Sequence, residues 1–158
     1  MIKVGIGYDA HRLVKGERFV IGGVEILNEY GSVGHSDGDV LIHAIVDSLL
    51  GAANVGDIGK LFPSSEKKWK DCNSLNFLDI SNGKLMSKGY EIIHIDSIIL
   101  LQTPIISEFI PGMKNKISNI LDIELSQISI KATTTDYLGY IGESKGLAAQ
   151  SISTIQNK

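Results

Sequence analysis

Apolar and polar residues alternate cleanly over the first eleven positions. Ile2, Val4, Ile6, Tyr8 and Ala10 fall on one side; Lys3, Gly5, Gly7, Asp9 and His11 fall on the other. A period of two predicts a strand, with the even side turned to the core. Gly5 and Gly7 leave bare backbone on the odd side, as the close approach of another element requires. Residues 18–26 read as a second strand, bulged at Gly22-Gly23. From Val40 the chain is continuously apolar to Leu50, a helix with Ser36 or Asp37 as candidate N-cap and Gly51 as its stop. Leu75, Leu78, Leu85 and Met86 fit a second helix closed by Gly89, and residues 90–102 form a long isoleucine-rich strand that ends before Pro104. Ile110, Met113, Ile117, Ile120 and Leu121 repeat at helical spacing. Ile128, Ile130 and Ala132 alternate as a strand that runs into Thr133-Thr134-Thr135-Asp136. Gly146 to Ile155 fits either strand or helix and is taken as a strand. This order predicts an α+β fold, with helices layered on one face of a mixed sheet.

A chain of 158 residues with 43% hydrophobic and 21% charged residues suits one globular domain, 1–158. The net charge of −3 and the absence of a basic block argue against a nucleic-acid partner. An anionic substrate would therefore have to be attracted locally, by metal ions or backbone donors. The lone Cys72 excludes an internal disulfide and a cysteine-rich metal site. With neither a leader pattern nor a bilayer-length apolar run, the expectation is a cytoplasmic chain with no membrane partner. The Ser-, Lys- and Asp-rich stretch from Pro63 to Asn73 reads as a surface loop.

The candidate chemistry gathers at two places. Asp9 and His11 point the same way from one strand, about 7 Å apart at ~3.3 Å per residue, so their side chains can converge on one ion. His43 lies in the apolar helix with Asp39 and Asp47 four residues to either side, and one of these acids can orient its ring. His43 can equally be a core histidine satisfied by an acid. One carboxylate and two imidazoles make a ligand set suited to catalytic zinc, with a fourth position open. The loop ahead of the helix, Gly34-His35-Ser36-Asp37-Gly38, feeds a helix N-terminus where an anion can sit. Asp57 binds ligand hydroxyls or caps a turn. The threonine run is a plain strand end, or a set of hydroxyls beside the carboxylate of Asp136 that suits magnesium. Gly5-x-Gly7 lacks the third glycine of a dinucleotide fingerprint, and there is no P-loop.

Taken together, four segments resemble the 2-C-methyl-D-erythritol 2,4-cyclodiphosphate synthase family. They are Gly7-Tyr8-Asp9-Ala10-His11-Arg12-Leu13, His35-Ser36-Asp37-Gly38-Asp39-Val40-Leu41-Ile42-His43-Ala44, Gly51-Ala52-Ala53 through Gly56-Asp57-Ile58-Gly59 to Phe62-Pro63, and Lys131-Ala132-Thr133-Thr134-Thr135. The likeness runs nearly end to end. It implies a homotrimer with sheets packed around a three-fold axis and active sites between subunits. The implied reaction turns 4-diphosphocytidyl-2-C-methyl-D-erythritol 2-phosphate into the cyclic diphosphate with release of CMP, in non-mevalonate isoprenoid biosynthesis. It further implies zinc on Asp9, His11 and His43, with magnesium or manganese at Asp136. His35 and Thr134 would stabilise the transition state, and Ser36 would hold phosphate. Asp57, Ile58, Gly59, Phe62, Pro63, Ser64, Ser65 and Glu66 would cover the methylerythritol. Leu101, Gln102, Thr103, Pro104, Ile105, Ile106 and Ser107 would form the cytidine pocket, and Thr133 and Thr135 would reach the diphosphate from the adjoining subunit.

Three positions depart from the family pattern. Asp136 stands where Glu is usual, a carboxylate about 1.5 Å shorter. Ser64 replaces a common Asp. Glu143 stands where the family often carries Arg beside an aromatic, here Tyr140, to hold an axial prenyl diphosphate. Three inward glutamates would repel such a ligand.

Overall fold

The first strand, β1, runs from Ile2 to Lys15, but its buried side is the odd one. In the computed structural model, which describes residues 1–158, Ile2, Val4, Ile6 and Tyr8 are each more than half exposed. The reason lies in the glycines. Helix α1 (Val40–Ala53) crosses the odd face so closely that a Cβ on Gly7 would stand 1.9 Å from the Ala44 carbonyl oxygen. One on Gly5 would stand 2.0 Å from that of Ser48. The side that looks polar in sequence is therefore the side against the helix, and the apolar even side is left bare.

Four more strands complete the main sheet: β4 (Tyr30–Val33), β5 (Tyr90–Leu100), β6 (Ile128–Thr133) and β7 (Gly146–Asn157). Their order is β4-β1-β7-β5-β6. β1 is antiparallel to β4 and β7, β5 is antiparallel to β7, and β5 and β6 run parallel, so the sheet is mixed as expected. Residues 146–157 are strand throughout. Residues 18–26, expected as one bulged strand, instead hold a hairpin of β2 (Val20–Ile21) and β3 (Val24–Glu25). Gly22 and Gly23 both have positive φ, +60° and +73°, which is what a two-residue hairpin turn demands.

Twelve of the fourteen α1 residues are buried, because the helix lies between the sheet and helix α3 (Ser74–Ser87). Helix α4 (Ile110–Leu121) packs Met113, Ile117 and Leu121 inward from β6. The ends of α1 differ from the expected ones. Its N-cap is Asp39, whose carboxylate accepts from the Ile42 N–H, in place of Ser36 or Asp37. Gly51 lies inside the helix, and Asn54 in the left-handed region ends it. Two short helices, α2 (Ile58–Leu61) and α5 (Gly139–Gly142), and three single 3-10 turns complete the chain. No helix is long and apolar enough to cross a membrane.

Candidate metal centre

The close seating of α1 on β1 brings His43 over Asp9 and His11. Asp9 Oδ2 lies 2.7 Å from His11 Nε2 and 2.9 Å from His43 Nδ1, and the two ring nitrogens are 3.2 Å apart. This is the one group of three potential ligand side chains whose ligating atoms lie within 4.8 Å of one another. Donors about 2.0–2.2 Å from a shared tetrahedral ion sit a little over 3 Å from each other, close to this spacing. The other side of the His11 ring fits the same purpose. Its Nδ1 lies 2.9 Å from the Val33 carbonyl, which only accepts, so Nδ1 carries the proton and Nε2 presents a lone pair to the ion.

Without an ion, burial would raise the Asp9 pKa, but hydrogen bonds and charge from His11 and His43 outweigh it and hold the carboxyl at about 2; a bound ion would take the place of those two ring protons. Burial works against a charged His11 as well, yet the bond and charge of Asp9 leave its pKa raised. Asp9 is thus an anion at any working pH, as a metal ligand must be.

Neither acid expected to orient the His43 ring does so. Asp39 is fully buried and spends its oxygens on the N–H groups of Gly22, Gly23 and Ile42. Asp47 accepts from the Ile58 N–H at 2.7 Å. The His43 Nε2 instead lies 2.9 Å from both Ser36 Oγ and Ser74 Oγ. Ser74 was not singled out from sequence, nor was Phe77, whose ring stacks on Phe62 at 4.4 Å beneath His43. Asn73-Ser74 at a helix start was the available signal for the first. Trp69 stands edge-on to both phenylalanines and completes the aromatic floor.

Above the three ligands opens a cavity of about 330 Å³, walled by His35, Ser36, Ile58, Gly59 and the segment Phe62 to Ser65. Two members of the expected methylerythritol segment stand outside it. Asp57 caps α2 through the Lys60 N–H, and Glu66 pairs with Lys68 at 2.7 Å. A second cavity, about 160 Å³, joins Leu101, Gln102, Pro104, Ile105, Ile106 and Ser107 to Thr133 and Thr134. It shares no residue with the first. Thr103 faces Ser144, and the Thr135 hydroxyl donates to the Leu138 carbonyl at 2.7 Å. Asp136, in the left-handed region, is not among the clustered ligands. Tyr140 shares a 3.1 Å hydroxyl contact with Tyr8 on the bare side of β1, a bond that pushes its pKa up to about 12. Glu143 pairs with Lys145.

The fold and this site define a class: an α+β protein whose central helix and first strand jointly build a candidate site for a single metal ion beside an open pocket. Residues 2–156 match the YgbB family, and the chain belongs to it. It is 52% identical over 151 residues to the 2-C-methyl-D-erythritol 2,4-cyclodiphosphate synthase of Clostridium acetobutylicum, covering 96% of this chain and 97% of that one. It is 44% identical over 155 residues to the synthase of the same name from Desulforamulus reducens, with 98% and 99% covered. The IspF CDP complex from Plasmodium falciparum superposes with a TM-score of 0.88 at 37% identity, over 99% of this chain and 97% of that one. The bifunctional IspDF of Campylobacter jejuni gives 0.96 at 37% identity over the whole of this chain, which spans 43% of that larger protein.

Proposed function

We propose that this chain is a 2-C-methyl-D-erythritol 2,4-cyclodiphosphate synthase, a metal-dependent phosphorus–oxygen lyase of the cytoplasm, acting as a single domain over 1–158. It closes 4-diphosphocytidyl-2-C-methyl-D-erythritol 2-phosphate on itself and releases CMP, a step in isoprenoid precursor synthesis. The observation that carries this reading is the convergence of Asp9, His11 and His43, two of which, His11 and His43, line the cavity. The names of the relatives and the CDP complex of a structural neighbour support a cytidine diphosphate-linked substrate.

The attacking group is the 2-phosphate of the substrate, whose second pKa of about 6 makes it a dianion at neutral pH. No protein general base is required. A 2-phosphate oxygen bonds to the β-phosphorus, the bond from that phosphorus to the α–β bridging oxygen breaks, and CMP leaves with the electron pair. Asp9, His11 and His43 would hold zinc, and Asp136 would serve a magnesium or manganese site. The bound cations supply positive charge where several phosphate oxygens repel one another. His35 and Ser36 donate to phosphate oxygens from the cavity wall, and Thr133, Thr134 and Thr135 do so from the neighbouring subunit. Residues 58–65 fold the methylerythritol back toward the diphosphate. Such proximity is worth up to ~7–11 kcal/mol in favourable intramolecular cases.

A homotrimer supports this arrangement in two respects. The bare apolar side of β1, with Ile152 of β7 opposite Ile6, needs covering. The two cavities, separate within one chain, make one complete site only when a second chain adds its threonine run. Incubation of the purified protein with the substrate should yield CMP and the cyclic diphosphate in equal amounts. Chelation should abolish both products, and zinc with magnesium should restore them. Free phosphate without cyclic product would make the protein a phosphohydrolase instead.

A further inference from the structure

The structure assigns to Ser74 and Asp37 a positioning role: together they fix the tautomer of His43 so that its Nδ1 is bare toward the metal. The inference rests on reading Asp9, His11 and His43 as a metal centre. It follows from counting hydrogens along one partly buried chain of contacts. Asp37, as a carboxylate, only accepts. Its Oδ2 takes the Ser74 N–H at 2.9 Å, and its Oδ1 takes the Ser74 hydroxyl hydrogen in a short bond. That hydroxyl has one hydrogen, so toward His43 Nε2, 2.9 Å away, Ser74 Oγ is an acceptor. In the neutral ring that binds an ion the proton therefore sits on Nε2, and Nδ1, 2.9 Å from Asp9, is left as the ligand atom. Ser36 Oγ, also 2.9 Å from Nε2, meets the same N–H as an acceptor and lies 3.4 Å from Ser74 Oγ, to which it can donate.

The pair is held firmly enough for this role. Ser74 is fully buried at the first position of α3. The Asp37 N–H donates to the Cys72 carbonyl and the Asp71 N–H to the His35 carbonyl, so the end of the 63–73 loop is stitched to the segment that carries Asp37. The connection also runs outward, since the same loop supplies Pro63, Ser64 and Ser65 to the cavity wall. Ser74 is thus the joint between the cavity wall and a metal ligand.

An amide at position 37 cannot reproduce the pattern. It has one acceptor oxygen where the carboxylate's two serve both Ser74 donors and the Asp39 N–H. If its oxygen keeps the backbone N–H, its NH2 donates to Ser74 Oγ, the serine hydrogen turns to His43 Nε2, and the imidazole proton moves to Nδ1. Zinc affinity of Ser74→Ala, Asp37→Asn and the double variant should be measured by competition with a chromophoric chelator. Cobalt(II) spectra and thermal unfolding of the metal-free proteins should accompany it. Each single variant should bind zinc about 10–100-fold more weakly, as loss of a ligand's outer partner does. The cobalt band should shift, and the metal-free Ser74→Ala protein should melt within a few degrees of wild type. The double variant should bind no more weakly than Ser74→Ala, because Asp37 acts through Ser74. A folded Ser74→Ala or Asp37→Asn protein with wild-type zinc affinity and an unshifted cobalt spectrum overturns the assignment while the metal centre stands. A wild-type protein that takes up no zinc overturns both.

Discussion

Asp39 is the residue on which the entry to α1 depends. Its two oxygens collect three backbone N–H groups: Gly22 at 2.9 Å, Gly23 at 2.6 Å and Ile42 at 3.1 Å. The helix start and the β2–β3 turn are thereby joined through one buried carboxylate. Truncation strands these donors away from water, at ~1–3 kcal/mol for each group that finds no new partner. Asp39→Ala should therefore lower stability by about 3 kcal/mol, read by urea denaturation. Burial first, and the charge of Asp37 second, push the Asp39 pKa up to about 6 against the pull of its three donors. The folded chain then holds this proton more tightly than the unfolded one. Stability from this group falls as pH rises from about 4 to about 6. The gap between wild type and Asp39→Ala should narrow over the same interval.

At the scale of elements, the glycines of β1 set the distance between strand and helix, and that distance makes the metal centre. A methyl on Gly7 would meet the Ala44 carbonyl, so Gly7→Ala must push α1 away and carry His43 from Asp9 and His11. A loss of at least about 3 kcal/mol is expected from the overpacking. A tenfold or greater fall in zinc affinity should accompany it. Gly83→Ala, in α3 with open space around its Cα, should instead gain about 0.5–1 kcal/mol. Denaturation and metal titration of the two variants test the contrast. This close contact was half legible in sequence. Gly5 and Gly7 announced a near neighbour, and period two placed Asp9 and His11 side by side. Which face was the interior was not legible, because an apolar row implies burial without saying by what. The cap of α1 was missed for a related reason. Ser36, Asp37 and Asp39 all have capping chemistry, and only the turn at Gly22-Gly23, distant in sequence, selects Asp39. The partner of His43 escaped likewise: Asp39 and Asp47 were near in helical spacing, but tertiary backbone donors claim both, and Ser74 arrives from another helix.

For the whole molecule, the bare row of Ile2, Val4, Ile6 and Tyr8, each more than half exposed, is an unmet demand of the fold. Under the trimer reading, Ile6→Lys places a charge where the copies meet. Light scattering should show the assembly, three times 17.1 kDa, falling to single chains. Zinc should still bind, since its ligands belong to one chain, while CMP release should vanish because the threonine run is lost from the neighbour. A wild-type protein that runs as a single chain and still turns over would contradict the shared site.

β1 therefore has no idle face. Its odd residues are sockets for a helix and grips for a cation, and its even residues form the row that the trimer reading assigns to neighbouring copies. A strand repeats every two residues, so one inserted or deleted residue would exchange these two duties from that point onward. Length changes must then fall outside this strand, whose residue count is as fixed as the two glycines on its odd side.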